Sequence, residues 1–222
     1  MLQEQILTRN QTSILSVNRV LRHTYILLGF TLLLSSLTAY LAMKTHATPI
    51  NPLLFILGYF GLLFLTTRLK DNPWGIASIF ALTGFMGYTL GPILDFYIKT
   101  LSNGNQIIMT AFGSTGLIFF ALSAYALTTK KDFSYLGGFL FVGIVVAFVA
   151  GLLSIFFNMP MLNILVSCAF TLLSSGLILF QTSLIIHGGE RNYIMATIAL
   201  YVALFNLFVS LLQILSAFGS RR

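Results

Sequence analysis

The sequence predicts an all-α polytopic membrane protein, a seven-transmembrane-helix bundle with the last helix central. Three observations carry this. Hydrophobic residues fill 57% of the 222 positions and charged residues only 8%, where a soluble domain carries about a quarter charged residues. Apolar runs close to the roughly 20 residues that cross a bilayer recur seven times between charged or helix-breaking stretches. The last of these runs lines up small and polar residues on one stripe, the pattern of a helix packed among other helices.

Residues 1–23 are polar and lack the early apolar core of a secretory signal. They are expected to form a cytoplasmic N-terminal tail, with residues 24–222 as one transmembrane domain. Spans are expected at 25–43, 52–67, 75–98, 107–127, 135–156, 161–185 and 193–217. With the N-terminus inside, Arg9, Arg19, Arg22, Arg68, Lys70, Lys130, Lys131 and Arg191 are cytoplasmic, against Lys44, Lys99, Arg221 and Arg222 outside. That bias has the positive-inside sign. A six-span variant with a re-entrant last helix would bring Arg221 and Arg222 inside as well, but the run 193–217 is long enough to cross. The net charge of +7 does not point to nucleic acid, because the cations fall in short loops and not on a surface interleaved with aromatics.

In the third span, Gly84, Gly87, Gly91 and Asp95 share one face, and Gly87 and Gly91 have the GxxxG spacing of close helix approach. Asp95 therefore points inward. It lies 21 residues beyond Trp74, about 31 Å along a helix, near the outer interface and one turn from Lys99. Pro92 frees a backbone carbonyl that a neighbour or water must satisfy. An inward ionisable group in a span is either a functional site or a structural acceptor paired with Lys99.

The second and fourth spans end in similar charged loops, KDNP and KKDF. Both are expected to face the cytoplasm, where Lys70, Asp71, Lys131 and Asp132 are solvated or meet partners or lipid headgroups. In the sixth span Ser167, Thr171, Ser174 and Gln181 recur at helical steps, and Cys168, alone in the chain, is expected to be a small buried packing residue. The HGGER island then reverses the chain. Gly188 and Gly189 end the helix, Glu190 sits at the positive N-terminus of the next one, and Arg191 adds to the inside charge. His187 and Glu190 are too few for a metal site, and His23 and His46 lie in other segments.

In the seventh span Ala196, Ala199, Ala203, Asn206, Ser210, Gln213 and Ala217 form a stripe expected to be buried, with residues such as Leu200 on a lipid-facing side. The stripes of spans six and seven are expected to share a polar seam, held by hydrogen bonds from Gln181 and Asn206. No cofactor is implied. GxSxG, HExxH, P-loop and GxGxxG motifs are absent, and no second carboxylate lies in a span with Asp95. Intramembrane catalysis thus lacks its acid and base, and the chain is not expected to be an enzyme.

GYTLGPILDFYI, TTKKDFSYLGGFL and SSGLILFQTSLIIHGGERNYIMATIALYVALFNLF, in a seven-span layout, resemble the Bax inhibitor-1 family of membrane proteins, in its bacterial YccA-type branch. The resemblance runs from about Ser13 onward. It implies a bacterial inner membrane location, a central last helix, and a non-enzymatic role as a partner of the membrane-anchored ATP-dependent protease FtsH, restraining its degradation of membrane proteins. It also implies that residues 1–23 are the handle by which such a protease pulls.

Other members of the family are described as pH-sensitive calcium leak channels that use one aspartate in each of the last two spans. The matching positions here are Gln181 and Ala203, neither of which offers the charge that a calcium site takes from carboxylates. Two functions are therefore set against each other: a regulatory partner of a membrane protease, or a leak channel or transporter along a seam of Asp95, Ser174, Gln181, Ala203 and Asn206.

Overall fold

The computed structural model describes residues 2–219, with side chains from Val17 onward except Ile155. Arg221 and Arg222, which entered the charge comparison, lie outside the described residues. Seven helices follow in order: α1 Leu2–Lys44, α2 Pro52–Leu69, α3 Trp74–Thr100, α4 Gly104–Thr129, α5 Leu136–Phe156, α6 Pro160–Ile186 and α7 Tyr193–Gly219. Each is long and apolar enough to cross a membrane, and no strand occurs among the described residues.

The starts and stops follow local chemistry. Asn51 Oδ1 accepts the Leu53 N–H at 2.9 Å, and Pro52 opens α2, a position that needs no N–H donor. Asn192 Oδ1 accepts from the N–H groups of Ile194 and Met195 at 3.0 and 3.2 Å to start α7. Pro160 opens α6. Pro92 sits buried inside α3, which continues through it.

α1 departs from the expected span. The helix is continuous from Leu2, and its membrane-length part begins at Val17. No break in the backbone marks residue 23: Val20 and Leu21 pack on the core, Thr24 is fully buried, and the His23 ring lies 5.7 Å from that of Tyr193.

The core belongs to α7. Between Asn192 and Ala217 no residue of this helix is exposed, and Ile194, Leu200, Tyr201, Leu204 and Leu207 pack with Leu27 and Leu28 of α1, Ile79, Leu82 and Met86 of α3, Phe119 of α4, and Ile178 and Ile185 of α6. Leu200 is thus fully buried and not lipid-facing as expected. A central helix has no free side, so its small residues mark where backbones come closest and not where burial ends. α2 packs on α3 and α5 on α6, at the rim of the bundle. Only 6% and 11% of their spanning windows are buried, against 50% for α3.

The α3 glycines do what their spacing predicts. A Cβ on Gly87 would stand 2.3 Å from the Ser35 carbonyl oxygen, and one on Gly91 would stand 2.4 Å from the Ala42 Cβ. α1 and α3 form the most extensive helix pair. Cys168, by contrast, is exposed on the outer side of α6 and is not the buried packing residue expected. A small thiol on an apolar face suits lipid as well as core, and its neighbours in sequence do not distinguish the two.

Candidate functional site

Three loops form one plate at the end of the bundle where α3, α5 and α7 begin. α6 ends in a Schellman turn: Gly188 takes φ +72° and donates to the Ile185 carbonyl, while the Gly189 N–H donates to that of Leu184 at 2.8 Å. Glu190 Oε1 accepts from the Asn192 N–H at 2.8 Å. The Asn192 side chain then donates to the Lys70 carbonyl at 3.1 Å and to Asp71 at 3.0 Å, which ties the α2–α3 loop to the start of α7.

The α4–α5 loop is tied to the end of α6. Ser183 Oγ accepts the Phe133 N–H at 2.9 Å and donates to the Lys131 carbonyl at 3.3 Å. His187 Nδ1 lies 2.9 Å from the Ser183 carbonyl oxygen and Nε2 lies 3.2 Å from that of Lys130. Asp132 Oδ1 accepts from the Ser134 hydroxyl at 2.5 Å and the Ser134 N–H at 2.9 Å. The Ser134 side chain, then its backbone and then the nearby His187 hold the Asp132 carboxyl below its ordinary range.

Asp132 and Glu190 are therefore engaged in local turns and Asp71 in a bond between loops, while Lys70, Lys130, Lys131 and Arg191 ring the plate, with Arg19 and Arg22 on the adjoining turns of α1. Among the described residues the ion pairing lies at the opposite end. There Lys99 Nζ is 2.5 Å from Asp95 Oδ2, and His46 Nδ1 is 4.0 Å from the same oxygen. Asp95 is 24% exposed, a half-buried partner of Lys99 at the tip of α3.

The α6–α7 seam is set by one bond, from Ser167 Oγ to Gln213 Oε1 at 2.6 Å. Because the helices run antiparallel, two turns further along α6 brings Ser174 level with Asn206, and two more bring Gln181 level with Ala199. Ala203 is then about one turn from Gln181. Ser174, Gln181 and Ala203 are buried and Asn206 is half-buried. The hydrogen bonds expected from Gln181 and Asn206 are not found among the described residues; Gln213 makes the crossing instead. Asp95 belongs to the other end of the bundle from Gln181, so the five seam candidates do not converge on one point.

Sequence reasoning missed Tyr201. Its hydroxyl donates to the Thr83 carbonyl at 3.2 Å, which leaves the Ser35 hydroxyl, 2.7 Å away, as donor to the Tyr201 oxygen. This buried knot joins α7, α3 and α1. The only advance signal is a tyrosine far from either end of an apolar run, away from the interfaces where tyrosines collect.

The model of the family described as "Inhibitor of apoptosis-promoting Bax1" matches residues 17–220. An uncharacterized protein of Pseudomonas aeruginosa is 53% identical over 203 residues, 91% of each chain. The "Modulator of FtsH protease YccA" of Escherichia coli is 49% identical over 214 residues, 96% of each chain. An "Uncharacterized membrane protein" of Vibrio cholerae is 43% identical over 202 residues, 90% of each. With a family match across nearly the whole chain and relatives this similar along nine tenths or more of their length, this seven-helix protein belongs to the Bax inhibitor family.

Proposed function

We propose that this chain is a bacterial inner-membrane regulator that binds the membrane-anchored protease FtsH and modulates its degradation of membrane proteins, without catalysis of its own. The observation that carries this reading is the 49% identity, over 96% of both chains, to a relative named as a modulator of that protease. The N-terminus and the three-loop plate face the cytoplasm in this reading, because the basic side chains concentrate there. A fixed plate beside a helix that extends from Leu2 offers a large protease a surface to hold and an end to engage. The neutral pair Gln181 and Ala203 weighs against calcium conduction as the function, since a hard cation needs oxygen ligands with charge.

Affinity purification of the full chain from detergent-solubilised membranes tests the proposal. FtsH should co-purify, and excess chain should slow turnover of a membrane substrate of the protease. A chain that purifies free of FtsH and leaves that turnover unchanged would overturn it.

A further inference from the structure

We propose that the open groove between α5 and α6, with Lys130 and Lys131 at its mouth, is a binding site for one anionic phospholipid. The groove has a volume of about 480 Å³, and every residue lining it is apolar. Small residues shape its floor: Gly143 of α5 receives the Leu173 side chain and Gly176 of α6 that of Leu140, with Ala147, Ala150 and Ala169 also in the lining. Phe139 and Leu172, 70% and 75% exposed, stand as its rims.

On α5 the lining runs from Leu136 to Ala150, about 21 Å at 1.5 Å per residue. That exceeds half of a hydrocarbon core about 30 Å thick, so one acyl chain of the adjoining leaflet fits along it. Leu136, at one end of the groove, is the first residue of α5, and only Ser134 and Tyr135 separate it from the KKDF loop.

That loop is built as a fixed cationic mouth. The backbone carbonyls of Lys130 and Lys131 are held by His187 and Ser183, while both side chains are exposed. Their nearest acid in sequence, Asp132, is turned onto Ser134. Lys130 also stands in the left-handed region, φ 50°, as the C-cap of α4, where glycine or asparagine costs least. Two exposed lysines on the loop that leads into the groove's end at Leu136 match a phosphate with an acyl chain beneath it.

Delipidated full-length protein in detergent, titrated with phosphatidylglycerol, phosphatidylcholine of the same acyl chains, or inorganic phosphate and followed by native mass spectrometry, tests the site. Each lysine near a headgroup is worth about fivefold, so phosphatidylglycerol should bind roughly 25-fold more tightly than phosphatidylcholine. The change Lys130→Asn with Lys131→Gln, which also relieves the left-handed lysine, should erase that difference. Leu172→Ala, at an exposed rim, should weaken both lipids alike, Lys70→Gln should preserve the preference, and inorganic phosphate should not bind measurably. Equal affinity for the two lipids in the unmodified protein, a preference that survives the double change, an equal loss from Lys70→Gln, or phosphate binding as strong as lipid binding would each overturn the proposal.

Discussion

The hydroxyls of Tyr201 and Ser35 meet 2.7 Å apart, inside the bundle, and Tyr201 is 1% exposed. Because Tyr201 also donates to Thr83, one side chain of the central helix holds both members of the α1–α3 pair. Interhelical hydrogen bonds in membranes contribute about 0.6 kcal/mol on average and up to about 1.7. Tyr201→Phe keeps the ring and loses both bonds, and it should lower stability by about 1 kcal/mol in a reversible unfolding assay in micelles. In a double-mutant cycle with Ser35→Ala the two losses should fall short of additive, because both remove the same bond.

The α1–α3 contact gives a sharper contrast. Gly87→Ala puts a methyl against backbone at 2.3 Å, whereas at Gly84 the nearest atoms, on Leu34 and Thr38, lie at 3.7 Å, ordinary contact. Overpacking costs roughly 1–3 kcal/mol, and replacing a helical glycine by alanine gains about 1. Gly87→Ala should therefore lower the thermal midpoint, and Gly84→Ala should leave it unchanged or raise it.

Asp132 supplies a pH prediction. Its carboxyl is held low in the folded protein, first by the Ser134 hydroxyl. A depressed folded value means that this turn adds stability above the ordinary carboxylate range and loses it as pH falls through the depressed value. Ser134→Ala should move the Asp132 titration, followed by NMR of labelled aspartate, up toward the ordinary range. No change would mean that the hydroxyl does not hold it.

What the sequence made legible is what a single helix can display. The seven spans, the Gly87 and Gly91 face, and the HGGER reversal each depend on residues within a few positions of one another, and the structure reproduces them. The Tyr201 knot was not legible, because its partners come from α1 and α3, 166 and 118 positions away. Leu200 was misplaced for a related reason. An amphipathic stripe assumes that one side meets lipid, and the centre of a seven-helix bundle has no such side. The rim position of α5 was half visible, in a run of Phe and Val with little polar content that would tie it to neighbours.

The proposed partnership with the protease makes a prediction for turnover. If residues 1–23 are the handle that the protease pulls, deletion of residues 1–6 should lengthen the protein's lifetime in cells with active FtsH while leaving membrane insertion intact. The packed part of the helix, from Val20 onward, would be untouched. Pulse-chase with and without the protease reads this directly, and an unchanged half-life would remove the N-terminus from the mechanism.

Calcium flux separates the two functional readings. Gln181 is 7% exposed and Ala203 is fully buried, and the register fixed by Ser167 and Gln213 sets them about one turn apart on facing helices. Neither carries charge, so liposomes holding the unmodified protein and a calcium dye should show little pH-dependent entry. In Gln181→Asp with Ala203→Asp, two carboxylates would sit close together away from water, where like charges resist joint ionisation. If the fold retains a latent pathway, flux through the double variant should appear and should depend on pH. Strong pH-dependent flux through the unmodified protein, lost on Asp95→Asn, would instead make conduction a function of this chain and move its ion site to the Asp95, Lys99 and His46 cluster at the far end of the bundle.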